Sequence, residues 1–259
     1  MKGLIIKDLM FLRKNAKVLR GGFIGIIILG VLMFLSYKYG NIHRWNLEAI
    51  AEGTATLEMQ EGIYRFVFIC FLVVPLMVAA EPVMHLDFDG KAGFSKVSSV
   101  LPIPVWKRVA AKYISYIFYV SATLLVDIVI AVVASRLVDF LPATDLIGTL
   151  ITCTSFIVMA GALTIFFVFC FGYSNVMNLS MLAVLLLSGF FILINWKTVK
   201  EFFTIIFSDG SAEYNFSFFS GLGNSIVDKS WIMMVAAIIV FIMSYIGAVI
   251  IAYRKRGII

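Results

Sequence analysis

The sequence has 259 residues, of which 62% are hydrophobic and only 14% are charged, and its formal net charge is +6. Soluble domains usually carry about 25% charged residues, and so few polar side chains could not cover a core of this size in water. The composition therefore excludes a soluble globular domain and predicts an integral membrane protein whose solvent is the bilayer.

Residues 1–20 alternate apolar with basic side chains, which is typical of an amphipathic helix that lies along the inner leaflet. Six later stretches have about the 20 apolar residues that are needed to cross the hydrocarbon. They are residues 21–37, 62–80, 113–135, 146–171, 176–195 and 230–253. Residues 172–175 are an uncharged tetrapeptide between the fourth and fifth stretches, and they predict a tight turn. We therefore expect one all-α transmembrane domain over residues 1–259, with six transmembrane helices.

The positions of the Lys and Arg residues predict the orientation of these spans. If the N-terminus is cytoplasmic, most of the 21 basic residues fall in segment 1–20, in segment 81–112 and at the C-terminus, while most acidic residues fall outside. The predicted topology therefore has both ends in the cytoplasm and one long cytoplasmic loop at 81–112. The outer segment 196–229 is apolar but broken by glycines, which favours short re-entrant helices shielded by protein.

Several motifs that carry chemistry do not occur in the sequence. It has no G-x-x-x-x-G-K-[ST] phosphate loop, no H-E-x-x-H and no G-x-S-x-G. The two histidines and three cysteines lack the spacing of a metal site. We therefore expect no catalytic residue, no metal and no cofactor in this chain, which counts against a membrane-bound enzyme.

The cytoplasmic loop is the most informative segment of the sequence. Its acidic first part contains Asp87 and Asp89, and it continues through Phe94 to Leu101 and Pro102 and then to a basic helix start. Pro102 ends one helix because it lacks a backbone N–H, and its fixed φ angle favours the first turn of the next helix. From composition alone, a compact helix held beneath the membrane and an ordinary loop that obeys the positive-inside rule fit equally well.

The order of these parts resembles the permease subunit of type-2 ATP-binding-cassette exporters. The likeness is greatest to small permeases of Gram-positive bacteria that export amphipathic peptides, such as the phenol-soluble modulin exporters. In that family a loop between spans two and three has acidic residues, a Leu-x-x-(Leu)-Pro pattern and a basic helix start. Asp87 and Asp89 stand where glutamates are common. The resemblance implies that Asp87, Asp89, Phe94, Leu101 and Pro102 couple the chain to an ATPase.

The resemblance also implies the partners of the chain. It suggests a homodimer, or a dimer with a close paralogue, above two soluble ATPase subunits that bind ATP and Mg, in a bacterial plasma membrane and without nucleic acid. Few polar groups line the predicted spans, so we expect an amphipathic peptide or a hydrophobic, lipid-like cargo. Two alternatives are a self-contained carrier, which usually has several intramembrane charges, and an immunity or sensor protein that binds a toxic peptide without moving it.

Asp127 is the one acidic residue deep inside a predicted span. At 100° per residue it shares a small, polar face of the third span with Tyr116 and Thr123. An intramembrane carboxylate costs about 2.5–3.5 kcal/mol unless it is paired or wet, so this face should point towards protein or a cavity. These three residues are candidates for the translocation path. A structural hydrogen bond to a neighbouring helix fits equally well, and Arg65 is a possible partner.

Overall fold

The computed structural model describes residues 2–39, 57–80, 85–93, 103–137, 142–194 and 230–256, together with positions 196 and 200. The α-helices in these ranges are α1 (Lys2–Tyr39), α2 (Leu57–Ala80), α3 (His85–Lys91), α4 (Val105–Leu137), α5 (Ala143–Phe171), α6 (Val176–Ile194) and α7 (Ser230–Arg256). Within them no strand occurs, so the predicted all-α class is confirmed.

Four of the described helices are long and apolar enough to cross a membrane, over Val105–Leu137, Ala143–Phe171, Val176–Leu193 and Ser230–Lys255. They match the predicted third to sixth spans. Among the described side chains, α1 and α2 contain shorter apolar stretches, at Arg20–Leu32 and Val67–Ala79. The chain is therefore a membrane-embedded helical protein, and the first two predicted spans rest on the sequence pattern.

The first helix differs from the sequence-based expectation. A separate interfacial helix was expected over residues 1–20, but the structure has one uninterrupted helix of 38 residues, Lys2–Tyr39. At 1.5 Å per residue this helix is about 57 Å long, roughly twice the hydrocarbon thickness. Gly21 and Gly22 weaken a helix by about 1 kcal/mol each but do not break it as a proline would. The amphipathic segment is therefore the first half of a longer helix.

Helix α5 is the centre of the bundle, because α2, α4, α6 and α7 all pack against it. Its buried face includes Gly148, Gly161 and Ala162, small residues that allow neighbouring helices to approach closely. Gly172 ends α5 at a φ of 100°, and its N–H donates to the carbonyl of Val168 at 2.8 Å. A single 3-10 turn, Tyr173–Asn175, then leads into α6, so the predicted tight turn is present.

One end of the bundle, which we call the α3 end, collects most of the connections between helices. Lys7 near the start of α1 contacts Asp89 of α3. Gly90 of α3 lies against Tyr173 in the turn after α5. Lys255 near the end of α7 donates to the carbonyls of Phe169 and Cys170, at 2.9 and 2.8 Å. Helix α1 therefore begins, and α7 ends, at the same end of the bundle.

Candidate functional site

The α3 end is held together by an ionic cluster of two acids and two bases: Lys7, Asp8, Asp89 and Lys112. The Nζ of Lys7 lies 2.7 Å from Asp89 Oδ1, and the Nζ of Lys112 lies 2.9 Å from Asp8 Oδ1. Lys112 also pairs with Asp89 Oδ2, and Lys7 lies 3.4 Å from Asp8. Because these residues come from α1, α3 and α4, the ionic cluster joins three helices that are distant in the sequence.

Helix α3 presents its two aspartates in opposite directions, because residues two apart on a helix differ by about 200°. Asp89 faces the bundle, with 17% of its side chain exposed. Asp87 pairs instead with Lys91 at 2.5 Å, and the Lys91 side chain is 71% exposed. This pair puts an acid in the first turn and a base in the last turn, which also complements the helix dipole. The two predicted coupling acids thus lie on different sides of α3.

The electrostatics of the ionic cluster favour the charged form of Asp89. Burial acts to raise the pKa of this carboxyl group, but the charges and hydrogen bonds of Lys112 and Lys7 together outweigh it. The pKa of Asp89 therefore lies below its ordinary value. Burial, followed by the negative charge of Asp89, raises the pKa of Tyr173. Asp89 is thus ionised, and Tyr173 neutral, at physiological pH.

A close backbone approach fixes α3 to the turn between α5 and α6. A Cβ atom at Gly90 would lie 2.5 Å from Tyr173 Cβ and 2.9 Å from Tyr173 O. Both distances are well inside the 3.5–4.0 Å of ordinary contact between carbon atoms. Only glycine allows this approach without moving the backbone, so α3 is seated on the turn as well as tied to α1 and α4.

The second group of candidate residues lies on the face of α4 that packs against α5. The hydroxyl of Tyr116 donates to the carbonyl of Ile157 at 2.7 Å, and that of Tyr113 donates to the carbonyl of Ala162 at 3.3 Å. Both rings are buried. The earlier tyrosine bonds to the later residue of α5, and the later tyrosine to the earlier one. Helices α4 and α5 are therefore antiparallel, and these two hydrogen bonds connect them.

Asp127 lies further along the same face of α4. It is 0% exposed, and within the described residues neither carboxylate oxygen has a hydrogen-bond partner. Thr123, one turn earlier, is also buried, and its hydroxyl donates to the carbonyl of Tyr119 at 3.0 Å. Asp127 is 15 residues beyond Lys112, which corresponds to about 22 Å along the helix.

The structure brings the predicted site residues into two separate groups. Asp87 and Asp89 belong to α3, whereas Tyr116, Thr123 and Asp127 share one buried face of α4. The remaining coupling candidates, Phe94, Leu101 and Pro102, lie outside the described residues, as do the side chain of Arg65 and the outer segment 201–229. The expectation that the Asp127 face points into protein is confirmed.

The sequence-based prediction missed the partners of Asp89. Lys7 and Lys112 were counted only among the basic residues of their segments, and Asp8, which pairs with Lys112, was not singled out. Pairs separated by 82 and 104 residues leave no local spacing pattern. Gly90 was also missed, although a glycine within a seven-residue helix is a signal of close approach. Phe88, which is 53% exposed beside Asp87 and Asp89, is a further residue that the sequence did not single out.

Comparison of the chain with protein-family models, with curated proteins and with solved structures found no match. Within the described residues, no group of three or more His, Cys, Asp or Glu side chains is placed to hold a metal ion. The chemistry that the described geometry offers is therefore an exposed helix braced by ion pairs and a buried carboxyl group inside the bundle.

Proposed function

We propose that the chain is the membrane subunit of an ATP-binding-cassette exporter, with six spans and with α3 as the helix that contacts a separate ATPase. The observation that carries the proposal is the way α3 is braced. Its inner side is tied to α1 and α4 by the ionic cluster, and Gly90 seats it on the turn between α5 and α6. A push on α3 would therefore be transmitted to four helices at once.

The charge of the α3 end supports a cytoplasmic position for it. The basic residues at this end include Lys7, Lys91, Lys107, Arg108, Lys112 and Lys255. Segments rich in Lys and Arg stay on the cytoplasmic side of a membrane. With the α3 end in the cytoplasm, both termini are cytoplasmic, and a soluble ATPase that holds ATP and Mg can reach α3 directly.

The outer side of α3 supplies the proposed docking surface. Phe88 is 53% exposed, and the Asp87–Lys91 pair lies beside it. Burial of an aromatic side chain is worth about 1.5–3 kcal/mol, so Phe88 is the expected apolar anchor in the described part of the loop. The resemblance to type-2 exporters adds Phe94, Leu101 and Pro102 to the proposed ATPase contacts. Two permease copies would place two such surfaces beneath the membrane for two ATPase subunits.

Four of the hydroxyl side chains of α5 support an apolar or amphipathic cargo. The hydroxyls of Thr149, Thr152, Ser155 and Thr164 each donate to the carbonyl four residues earlier, at 2.7–3.0 Å. These hydroxyl protons are thus occupied within the helix and are not offered to a solute. A hydrophilic solute would need such donors along its path, so the proposed cargo is an amphipathic peptide or a lipid-like compound.

The proposal can be tested by reconstituting the chain with candidate soluble ATPases. We expect a stable complex in which Phe88→Ala weakens ATPase binding by about 10- to 150-fold, the factor that corresponds to about 1.5–3 kcal/mol. Phe118→Ala is the matched control, because Phe118 is a similarly exposed aromatic residue on α4, 59% exposed, but lies within the predicted third span. It should leave ATPase binding unchanged.

Two results would argue for a different class of protein. Uphill movement of cargo by the reconstituted chain alone, without any nucleotide-binding protein, would indicate a self-contained carrier. Binding of an amphipathic peptide without ATP-dependent efflux would indicate an immunity or sensor protein.

A further inference from the structure

The buried face of α4 gives Asp127 no hydrogen-bond donor within the described residues. On α4 itself, the hydroxyls of Ser115 and Thr123 donate to carbonyls of their own helix, those of Ala111 and Tyr119. A carboxylate cannot do this, because it only accepts hydrogen bonds. The backbone N–H groups around it are already used by the helix. An ionised Asp127 would thus be a buried charge without a hydrogen-bond partner.

The helices that pack against α4 are α1, α2, α5 and α7. In α7 no charged residue occurs before Arg254, and its Tyr245 packs on Tyr113, which is nearer the α3 end. In α5 the titratable residues are Asp145, which accepts from Thr144 at 3.2 Å, and Cys153. Neither residue is a cation, so α5 and the part of α7 before Arg254 provide no positive charge for Asp127, while Lys229, which precedes α7, lies outside the described residues.

The titratable side chains at the far end of α1 and along α2 are Tyr37, Lys38, Tyr39, Glu58, Glu61, Tyr64, Arg65 and Cys70. Of these side chains the structure describes only that of Cys70, which is exposed. Thr154 of α5 also has an unpartnered hydroxyl. Because Tyr116 lies opposite Ile157, Thr154 is near the level of Val120, about 10 Å along α4 from Asp127. That hydroxyl is therefore not the partner of the carboxylate.

A protonated carboxyl group fits this environment better than an ionised one. Protonation adds an O–H donor, and the carbonyl oxygens of the surrounding helices are acceptors. It also removes a charge whose burial at membrane depth is costly. We propose that Asp127 is a proton-binding site, in which the carboxyl group takes its proton from water and keeps it while α4 is packed as observed. Separation of α4 from its neighbours admits water, and the proton returns to it.

Such a site would make the charge on the Asp127 face of α4 depend on whether α4 is packed against its neighbours. When the helices are closed, the buried face of α4 is neutral; when water enters, it carries one negative charge. The open state would then attract a cationic group of the cargo, and this last step rests on the proposed function. The protonation of Asp127 in the closed state does not depend on that function, so the two can fail separately.

Infrared spectroscopy of the purified chain in lipid nanodiscs tests the protonation directly. A protonated carboxyl group gives a C=O stretching band that is separate from the bands of a carboxylate and shifts in D2O. We expect this band at pH 7, where ordinary aspartates with a pKa of about 3.9 are ionised. Asp127→Asn should remove it. Asp145→Asn is the matched control in the first turn of α5, and it should leave the band unchanged.

Two further variants keep the test decisive. If Asp127→Asn does not fold, Asp127→Glu retains a carboxyl group and should shift the band without abolishing it. Absence of the protonated band in the wild-type chain at pH 7 would overturn the proposal. So would its appearance only after Arg65→Gln, because this would show that Asp127 is normally ionised and paired with that arginine.

Discussion

Replacement of Gly90 by alanine tests whether α3 is seated on the turn between α5 and α6. The new Cβ would lie 2.5 Å from Tyr173 Cβ and 2.9 Å from Tyr173 O. To restore an ordinary contact of about 3.5 Å, the two backbones must separate by about 1 Å. No rotation of a side chain can relieve the contact, because one clashing atom is a Cβ and the other a carbonyl oxygen. We therefore expect α3 to be displaced from the turn.

Two opposing contributions determine how much Gly90→Ala changes the free energy of unfolding. Overpacking of a well-packed contact costs about 1–3 kcal/mol, while alanine favours a helix over glycine by about 1 kcal/mol. Gly189→Ala is the matched control, because a Cβ at Gly189 meets nothing within 4 Å and gains only the helix preference. The difference between the two variants should therefore report the steric term, about 1–3 kcal/mol in favour of Gly189→Ala.

Unfolding in mixed micelles with increasing SDS would measure the two free energies. A double variant sharpens the test, because Tyr173→Ala retains both atoms that clash. It should not rescue Gly90→Ala, and the coupling free energy between the two substitutions should be close to zero. Equal stabilities of Gly90→Ala and Gly189→Ala, or full rescue by Tyr173→Ala, would refute the close backbone approach.

Two other predictions concern the ionic cluster and the core. Because the pKa of Asp89 is lowered in the folded protein, its ion pairs stabilise the fold fully above about pH 4 and are lost as the pH falls further. Asp89→Asn should cost about 1–3 kcal/mol at pH 7 and remove this acid dependence, whereas Asp87→Asn, tested by the same pH-dependent unfolding, should change stability by under about 0.5 kcal/mol. A Cβ at Gly161 would overlap the buried ring of Tyr116, so Gly161→Ala should destabilise by about 1–3 kcal/mol. In a double-mutant cycle Tyr116→Leu should recover part of that loss, and additive effects would contradict the packing.

The sequence predicted those parts of the fold that depend on local pattern. The third to sixth apolar stretches coincide with α4, α5, α6 and α7 because long apolar runs in a bilayer have few alternatives to a helix. The shared face of Tyr116, Thr123 and Asp127 was also predicted, since helical periodicity places these residues together whatever their neighbours are. Local pattern was therefore sufficient for both the helices and the buried face.

Contacts between segments that are far apart in the sequence could not be predicted from local pattern. The pairing of Asp89 with Lys7 and Lys112 depends on how α1 and α4 start beside α3, and no spacing rule encodes that arrangement. The continuous helix through Gly21 and Gly22 was also missed, because the change from an amphipathic to an apolar pattern was interpreted as a break. A change in side-chain polarity alters which solvent surrounds a helix without interrupting its backbone hydrogen bonds.

Helix α4 joins the two groups of candidate residues, and its composition suits that position. It carries Lys112 of the ionic cluster at one level and Asp127 about 22 Å further along. Among the described helices, α4 alone contains neither glycine nor proline, the residues at which helices most often kink. Between the two sites, the hydroxyls of Tyr113 and Tyr116 fasten it to α5. A displacement of α3 would therefore reach α4 through Lys112, on the same helix that carries the buried carboxyl group.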